Sequence, residues 1–175
     1  MEAPSSEVLC RELHRAVTEG NADSVRSLIQ AGAGVDSRLN GSGGTPLVQA
    51  AAMGHAAVVS ALIAAGADLQ ALDGAAGRSA LHWAAFAHNE RERGRAACVR
   101  ALLAAGAQPD ALDGSGNTPL LVAAASWTSQ ECVSLLLAAG ASVHHSNIFR
   151  ETALHVAAAA NFNSKVSCWW QPGPP

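Results

Sequence analysis

Histidine and cysteine are the side chains of this sequence best suited to bind a metal or to act as a nucleophile. The chain has seven histidines and four cysteines. Zinc sites and redox pairs place cysteines close together, typically as C-x-x-C. The cysteines of this chain, which never approach that spacing, are Cys10, Cys98, Cys132 and Cys168. We therefore predict neither a zinc ribbon, nor a redox pair, nor a disulfide framework.

Two further segments have residue types that could bind a cation. His144 and His145 are adjacent, but no cysteine or carboxylate stands at ligand spacing from them. The sequence DGSGN at 113–117 resembles the start of a calcium loop, yet Ala124 occupies the twelfth position, where that loop needs a glutamate. The glycine-rich segment GSGG at 41–44 is turn material rather than a phosphate cradle. We predict no metal site and no cofactor.

Catalytic motifs are absent from the sequence. It contains no G-x-S-x-G, no H-E-x-x-H and no G-x-x-x-x-G-K-[ST]. Cys98 and Cys132 each stand a fixed distance before a glycine, where another copy of the same pattern has Val58. This equivalence indicates small buried side chains rather than nucleophiles. We predict no catalytic residue and expect a protein that is not an enzyme.

Length and charge limit the class of protein. A chain of 175 residues with a net charge of −3 fits one domain and lacks the basic field that nucleic-acid binding needs. The first residues, MEAPSSEVLCRELH, do not have the pattern of a signal peptide. The longest uncharged window, 39–67, is interrupted by glycines, a proline and a histidine, which excludes a membrane helix. We expect a monomer in the cytoplasm or nucleus, with no membrane insertion.

Internal repetition sets the architecture that positions these side chains. One block ends in Ala-Gly-Ala around four glycines, which are Gly32, Gly66, Gly106 and Gly140. A second block recurs in phase with it as GTPLVQAAA at 44–52, RSALHWAAF at 78–86, NTPLLVAAA at 117–125 and ETALHVAAA at 151–159. A degenerate copy, ELHRAV, lies at 12–17. Two interleaved blocks in one phase indicate a repeat protein.

Each repeat predicts two helices and a turn. The second block starts with a hydroxyl residue suited to cap a helix, at Thr45, Ser79, Thr118 and Thr152. Pro46 and Pro119 follow in the first turn, where a missing N–H is tolerated. A second apolar segment, such as AVVSALIAA, then ends at the glycine of the first block, which suits the left-handed position after a helix.

At these residues the sequence resembles the ankyrin-repeat family, and the resemblance covers residues 8–168. It implies an all-α solenoid of helix–turn–helix units joined by β-hairpin-like loops. We predict a repeat domain over 7–170 between disordered ends at 1–6 and 171–175. Its units are expected at about 7–37, 38–73, 74–112 and 113–146, with a truncated fifth at 147–170. The resemblance also implies that His14, His82 and His155 make structural hydrogen bonds between units, and that His55 has a structural role.

The third unit is longer than the others, because Leu81 and Gly106 are further apart than Leu47 and Gly66. The extra residues fall at the highly charged segment HNERERGR, 88–95. Loops of this kind are usually on the surface. We predict a solvent-exposed insertion or helix extension, with a partner contact as the alternative.

At the ends of the chain, Ser6 is predicted to cap the first helix, which buries Leu9, Leu13, Ala16 and Val17. Glu7 and Arg11 can pair on its outer side. In the fifth unit, Trp169 and Trp170 precede a proline-rich end, so its second helix is expected to be short.

The resemblance implies a protein–protein interaction module, acting as an adaptor, scaffold or inhibitor. Such repeats bind another protein through the concave face and the hairpin tips. The candidate partner-binding residues are Met53, Arg78, Phe86, Asn117, Ser126, Trp127, Phe149, Arg150 and Glu151. For Phe86 and Trp127 the alternative is that they fill gaps between units. Two other functions stay open: a truncated substrate receptor of a ubiquitin ligase, although nothing after 160 resembles a recruitment box, and a regulatory fragment of a larger enzyme.

Overall fold

The fold is a stack of short antiparallel helix pairs, seen in a computed structural model that describes residues 6–38, 44–86, 92–126 and 130–159. The helices of these ranges are α1 (Ser6–Glu19), α2 (Ala22–Gln30), α3 (Pro46–Met53), α4 (Ala56–Ala64), α5 (Ala80–Ala85), α6 (Glu92–Ala104), α7 (Pro119–Ala125), α8 (Gln130–Ala138) and α9 (Ala153–Ala159). The predicted all-α repeat solenoid is confirmed. In the described part of the chain no helix is long and apolar enough to cross a membrane.

The predicted helix starts follow from local chemistry. The Thr45 hydroxyl accepts from the N–H of Val48 at 3.5 Å, and the Thr118 hydroxyl accepts from the N–H of Leu121 at 3.3 Å. Prolines occupy the first turn of α3 and of α7. Ser79 forms a reciprocal box with His82 at the start of α5. These bonds satisfy N–H groups that the first turn of a helix leaves unpaired.

The predicted helix ends are also confirmed. The four repeat glycines have φ between +82° and +97°, a conformation that side chains disfavour, and they are Gly32, Gly66, Gly106 and Gly140. After α4 the N–H of Ala67 donates to the carbonyl of Leu62 at 3.0 Å, which closes the turn around Gly66. Equivalent turns follow α2, α6 and α8.

Helices of adjacent units pack in two rows. The first row contains α1, α3, α5, α7 and α9, and the second row contains α2, α4, α6 and α8. Large side chains between the rows are fully buried, among them Leu13, Leu47, Leu81 and Leu120. The alanines of the short helices are also buried, so neighbouring helices can approach closely. Gly94 is the tightest case, because a Cβ there would lie 2.3 Å from the carbonyl oxygen of Gly54.

The ends of the domain correct some predictions. Ser6 is the first residue of α1 rather than its cap, so the disordered segment predicted for 1–6 is wrong at Ser6. The apolar stripe of α1 is buried and Arg11 pairs with Glu7 at 3.0 Å, as expected. The predictions for residues 1–5 and for the second helix of the fifth unit lie outside the described residues. The unit boundaries stay a prediction.

The charged segment of the third unit is partly helical. α6 begins at Glu92, within the segment 88–95, which is the helix extension that we considered. The expectation of a wholly solvated segment is wrong at Arg95, whose exposed fraction is 6%. Residues 87–91 lie outside the described ranges, as do the side chains of residues 92 and 93.

Candidate functional site

Among the described residues, three hairpin tips stand in a row between the helix pairs: tip 1 (73–78), tip 2 (113–117) and tip 3 (147–151). In tip 1 the Asp73 carboxylate turns back and accepts from the backbone N–H groups of Ala76 at 2.9 Å and Arg78 at 3.0 Å. Asp113 in tip 2 and Asn147 in tip 3 accept in the same way from residues two and four positions on. In all three tips the side chain that opens the tip accepts two backbone N–H bonds; in tip 1 the donors stand three and five positions on, so that tip is one residue longer.

Backbone bonds join each tip to the next. The N–H of Gly114 in tip 2 donates to the carbonyl of Ala76 in tip 1 at 2.9 Å, and the N–H of Ile148 in tip 3 donates to the carbonyl of Ser115 in tip 2 at 3.2 Å. The tips approach so closely that a Cβ on Gly77 would lie 3.0 Å from the backbone nitrogen of Gly114. The row is therefore a continuous hydrogen-bonded edge.

Side chains add links along the same edge. Arg78 Nε donates to Asp113 Oδ2 at 3.3 Å, and the side chain of Asp113 is only 3% exposed. Asn147 Nδ2 donates to Asn117 Oδ1 at 3.0 Å, which links tips 2 and 3. In each link one partner, Asp113 in tip 2 or Asn147 in tip 3, also accepts the backbone N–H bonds that fold its own tip. A change there affects two tips together.

An aromatic pair supports the guanidinium of Arg78. Its Cζ lies 5.3 Å from the centroid of the Trp83 ring and 5.0 Å from that of Phe86. The two rings meet edge to face, with centroids 5.9 Å apart. The Trp83 indole N–H donates to Asp73 at 2.8 Å. Arg78 is thus fixed by a carboxylate and two rings.

Hydrogen bonds keep the two tip carboxylates ionised. Burial alone would raise the pKa of Asp73, but the N–H groups of Arg78 and Ala76 and the indole of Trp83 outweigh it and lower the pKa below its usual value. Burial opposes ionisation of Asp113 too, and bonds from Asn117, Ser115 and Arg78 again leave its pKa lowered. Both side chains act as acceptors for the tips at neutral pH.

Arg95 of α6 caps the carboxyl-terminal ends of α3 and α5. Its guanidinium donates to the carbonyl of Ala52 in α3 at 2.8 Å, to that of Trp83 in α5 at 2.9 Å, and to that of Phe86. The last carbonyls of a helix lack intrahelical partners and attract a cation. Burial lowers the pKa of Arg95.

Burial raises the pKa of the neighbouring Cys98 thiol to about 12. Cys98 is fully buried, in agreement with the small buried side chain predicted at this position.

His14 and His82 make the structural hydrogen bonds between units that the resemblance predicted, whereas the bond described for His155 lies within its own unit. His82 Nδ1 accepts from the N–H of Ser79 at 3.2 Å, and its Nε2 donates to the carbonyl of Asn117 in the next unit at 3.0 Å. His14 reaches Gln49 of the next unit at 3.0 Å. His155 accepts from Thr152 within its own unit. Across the described residues, no group of three or more histidine, cysteine or acidic side chains is arranged to hold a metal.

The candidate partner-binding residues occupy different environments. Phe149, Arg150 and Glu151 are exposed, while Met53 and Phe86 are half-buried at the ends of α3 and α5. Arg78 is 21% exposed, and its guanidinium is held by Asp113 and by the rings of Trp83 and Phe86. Asn117 is half-buried and bonded to both Asp113 and Asn147.

Ser126 is the clearest correction. It was placed at an exposed helix end, but it is 2% exposed, and its hydroxyl lies 3.4 Å from the carbonyl of Ala85 and 3.3 Å from that of Ala123. A residue so enclosed is not accessible to a partner. Trp127 lies outside the described residues.

Sequence reasoning missed Asp73, Asp113, Asn147 and Arg95. A signal for the first two was present, because an Asp-Gly pair precedes the helix caps Ser79 and Thr118 at a similar distance. Asn147 stands at the same point of the next unit. For Arg95 no local signal existed, because its acceptors lie on other helices.

Comparison with known protein families gives one match. The family model described as ankyrin repeats (3 copies) matches residues 13–113 and 91–167. No curated protein matches the chain.

Proposed function

Because the chain belongs to the ankyrin-repeat family, whose repeats are generally protein-interaction modules, we propose that it is a non-enzymatic adaptor, scaffold or inhibitor. It binds a partner protein through the row of hairpin tips and the adjoining ends of the first-row helices. In this proposal the module acts as a monomer in the cytoplasm or nucleus.

The observation that carries the proposal is the rigidity of the tip row. Each tip is folded by its own opening side chain and joined to the next by a backbone bond. A surface that is ordered before binding loses little conformational freedom on association, so more of the contact energy appears as affinity. A surface that is ordered before binding in this way suits the recognition of a partner protein.

Side chains suited to recognition lie on tip 3 and at the ends of α3 and α5. Phe86 and Met53 present part of their apolar surface at the helix ends, and Phe149 and Arg150 are exposed on tip 3. Aromatic and arginine side chains often dominate the energy of an interface. Arg78 contributes by holding Phe86 and Trp83 in place, with only part of its own surface left for contact.

Affinity capture with matched variants tests the proposal. The wild-type chain, a tip variant (Phe149→Ser with Arg150→Gly) and a second-row variant (Arg26→Ala with Arg100→Ala) are used as baits, and bound proteins are identified by mass spectrometry. We expect a protein that binds the wild-type chain and the second-row variant but not the tip variant. It is then purified and titrated directly. Equal capture by all three baits, or binding lost only with the second-row variant, would contradict the proposed surface.

A further inference from the structure

Tip 3 differs from the other two tips in its side chains. Positions held by Gly114, Ser115 and Gly116 in tip 2 are held by Ile148, Phe149 and Arg150 in tip 3. Ile148 is 67% exposed and Phe149 is 68% exposed. Contiguous exposed apolar surface often marks a site of interaction with another molecule.

Arg150 occupies a backbone conformation that favours glycine. Its φ is +62°, and the equivalent residues are Gly77 at +63° and Gly116 at +69°. Its N–H donates to the carbonyl of Asn147 at 2.9 Å, the same bond that Gly116 makes to Asp113, so the turn imposes this conformation. A residue with a Cβ is strained there, and strain of this kind is retained at functional sites. The arginine side chain therefore has a use that glycine could not supply.

The contacts of the described residues do not account for this use of the arginine side chain. Arg150 makes no side-chain hydrogen bond or ion pair with any described residue. The neighbouring carboxylate of Glu151 accepts from Asn147 Nδ2 at 3.2 Å. Arg78, by contrast, is paired with Asp113. Arg150 is thus an exposed cation beside two exposed apolar side chains.

The backbone carbonyl of Phe149 in tip 3 stands at the position from which each of the other two tips accepts an N–H of the next tip. The carbonyls of Ala76 and Ser115 each accept an N–H from the next tip. Phe149 is the equivalent residue of tip 3, and among the described residues no N–H donates to its carbonyl. A polypeptide that lies along tip 3 could extend the row by one more bond.

From these four features we infer that tip 3 docks an acidic–apolar segment of the partner protein. Bulky apolar side chains of that segment cover Ile148 and Phe149, an aspartate or glutamate pairs with Arg150, and a backbone N–H donates to the Phe149 carbonyl. This inference rests on the proposed function and specifies its partner. A polyphosphate backbone fits poorly, because Asp113 and Glu151 lie in the same row and the chain has a net charge of −3.

Selection from random peptides displayed on phage tests the chemistry of the partner. The wild-type chain is immobilised and selected clones are rescreened against Phe149→Ser and Arg150→Gly. We expect enriched peptides in which aspartate or glutamate stands beside leucine, isoleucine, phenylalanine or tryptophan, and loss of their binding to both variants. Enrichment of basic or uncharged peptides, or retained binding to both variants, would overturn the inference.

Melting temperatures distinguish the relief of backbone strain at Arg150 from a loss of the fold. Arg150→Gly relieves the strained backbone, so its melting temperature should rise by about 2–4 °C while affinity for a selected peptide falls at least about tenfold. Arg150→Lys keeps the charge and should retain most of the affinity. Arg26→Ala removes an arginine from the second row, where it pairs with Asp23, and should bind like the wild type.

The salt dependence identifies the ion pair. Raising the sodium chloride concentration should weaken peptide binding to the wild type much more than the residual binding to Arg150→Gly, because exposed ion pairs are screened. If the wild type and Arg150→Gly showed the same salt dependence, the inferred pairing of a peptide carboxylate with Arg150 would be wrong. If the wild type binds no peptide and no protein at all, the proposed function fails as well; if it binds elsewhere than tip 3, only this inference fails.

Discussion

At the scale of single residues, the buried polar side chains serve backbone groups that short helices leave unpaired. Helices of six to nine residues, such as α5 and α8, have a large share of their N–H and carbonyl groups at the ends. His82 accepts from the first turn of α5, and Arg95 donates to the last carbonyls of α3 and α5. The buried polar side chains therefore supply hydrogen bonds that the short helices cannot make internally.

His82 makes the stability of the protein depend on pH. Burial lowers the pKa of His82, while in the unfolded chain a histidine titrates near 6.5. The unfolded state therefore binds more protons below about pH 6.5, so stability is present above that pH and is lost as the pH falls below it. We expect the free energy of unfolding, from urea titrations, to decrease by up to about 1.4 kcal/mol per pH unit there.

The same titrations on two variants give the control. His82→Gln should lose most of this slope, whereas His144→Gln, a change at an exposed histidine, should keep it. Equal stability of the wild-type chain at pH values on both sides of about 6.5 would contradict the assignment.

Removal of the Arg95 guanidinium should be costly despite the relief of a buried charge. Arg95→Met leaves the carbonyls of Ala52, Trp83 and Phe86 without this donor, and we expect a loss of about 2–3 kcal/mol in urea unfolding. Arg95→Lys should rescue little, because a single ammonium cannot reach both helix ends as the planar fork does. Arg100→Ala, at an exposed arginine of the same helix, should change stability by about 0.5 kcal/mol or less. Similar losses at positions 95 and 100 would show that the capping bonds contribute nothing.

At the scale of elements, the hairpin tips rather than β-strands connect the units. Two isolated antiparallel bridges, Leu72 with Ser79 and Ser146 with Thr152, are the extent of sheet-like pairing recorded in the described ranges. The order of the tips comes instead from the side chains that open them and from the bonds between neighbours. Each tip depends on the next one, so the row should respond to substitution cooperatively.

A double-mutant cycle on Arg78 and Asp113 tests this coupling. Arg78→Gln, Asp113→Asn and the double variant are compared by urea unfolding, and we expect a coupling energy of about 1–2 kcal/mol. Arg100 and Glu131 form the matched control, because they also pair between units, at 2.6 Å, but their side chains are 62% and 54% exposed. Exposed pairs couple by about 0.2–1 kcal/mol. A coupling no larger for Arg78 and Asp113 than for the control pair would mean that burial adds nothing to the link.

At the scale of the whole molecule, the protein is a linear stack. The helix pairs with extensive contact lie within one unit or between adjacent units. Stability in such a stack is close to a sum over units and their interfaces, and the terminal units protect the apolar surface of the interior ones. The first unit does so with α1, which buries Leu13 and Val17 while Glu7 and Arg11 face the solvent.

Removal of the first unit should therefore expose core. A chain that starts at Arg38 lacks α1 and α2 and leaves uncovered the apolar side chains of α3 and α4 that they contact. We expect a lower melting temperature and concentration-dependent light scattering, since exposed apolar patches promote association. The control, Glu7→Ala with Arg11→Ala in the intact chain, breaks only an exposed ion pair and should change neither property. A truncated chain as stable and as monodisperse as the intact one would contradict the capping role.

The sequence by itself determined the architecture, because the signals for it are local. A hydroxyl before Pro46 or Pro119 starts a helix, and a glycine that tolerates positive φ, such as Gly66, ends one. Repetition of these signals in one phase was enough to predict the all-α solenoid and the structural histidines. The sequence also placed Phe149, Arg150 and Glu151 on a hairpin tip, and these residues are exposed.

Which polar side chains are hydrogen-bonded or buried could be established only from the tertiary structure. Arg78, Ser126 and Arg95 look like surface residues in the sequence, but the first is held by Asp113, the second is enclosed, and the third caps α3 and α5. Their partners lie about one repeat away along the chain or on another helix, and stacking alone brings them within hydrogen-bonding distance. A local pattern specifies where a helix starts and ends; it does not specify which carbonyl of the neighbouring unit will face a given guanidinium.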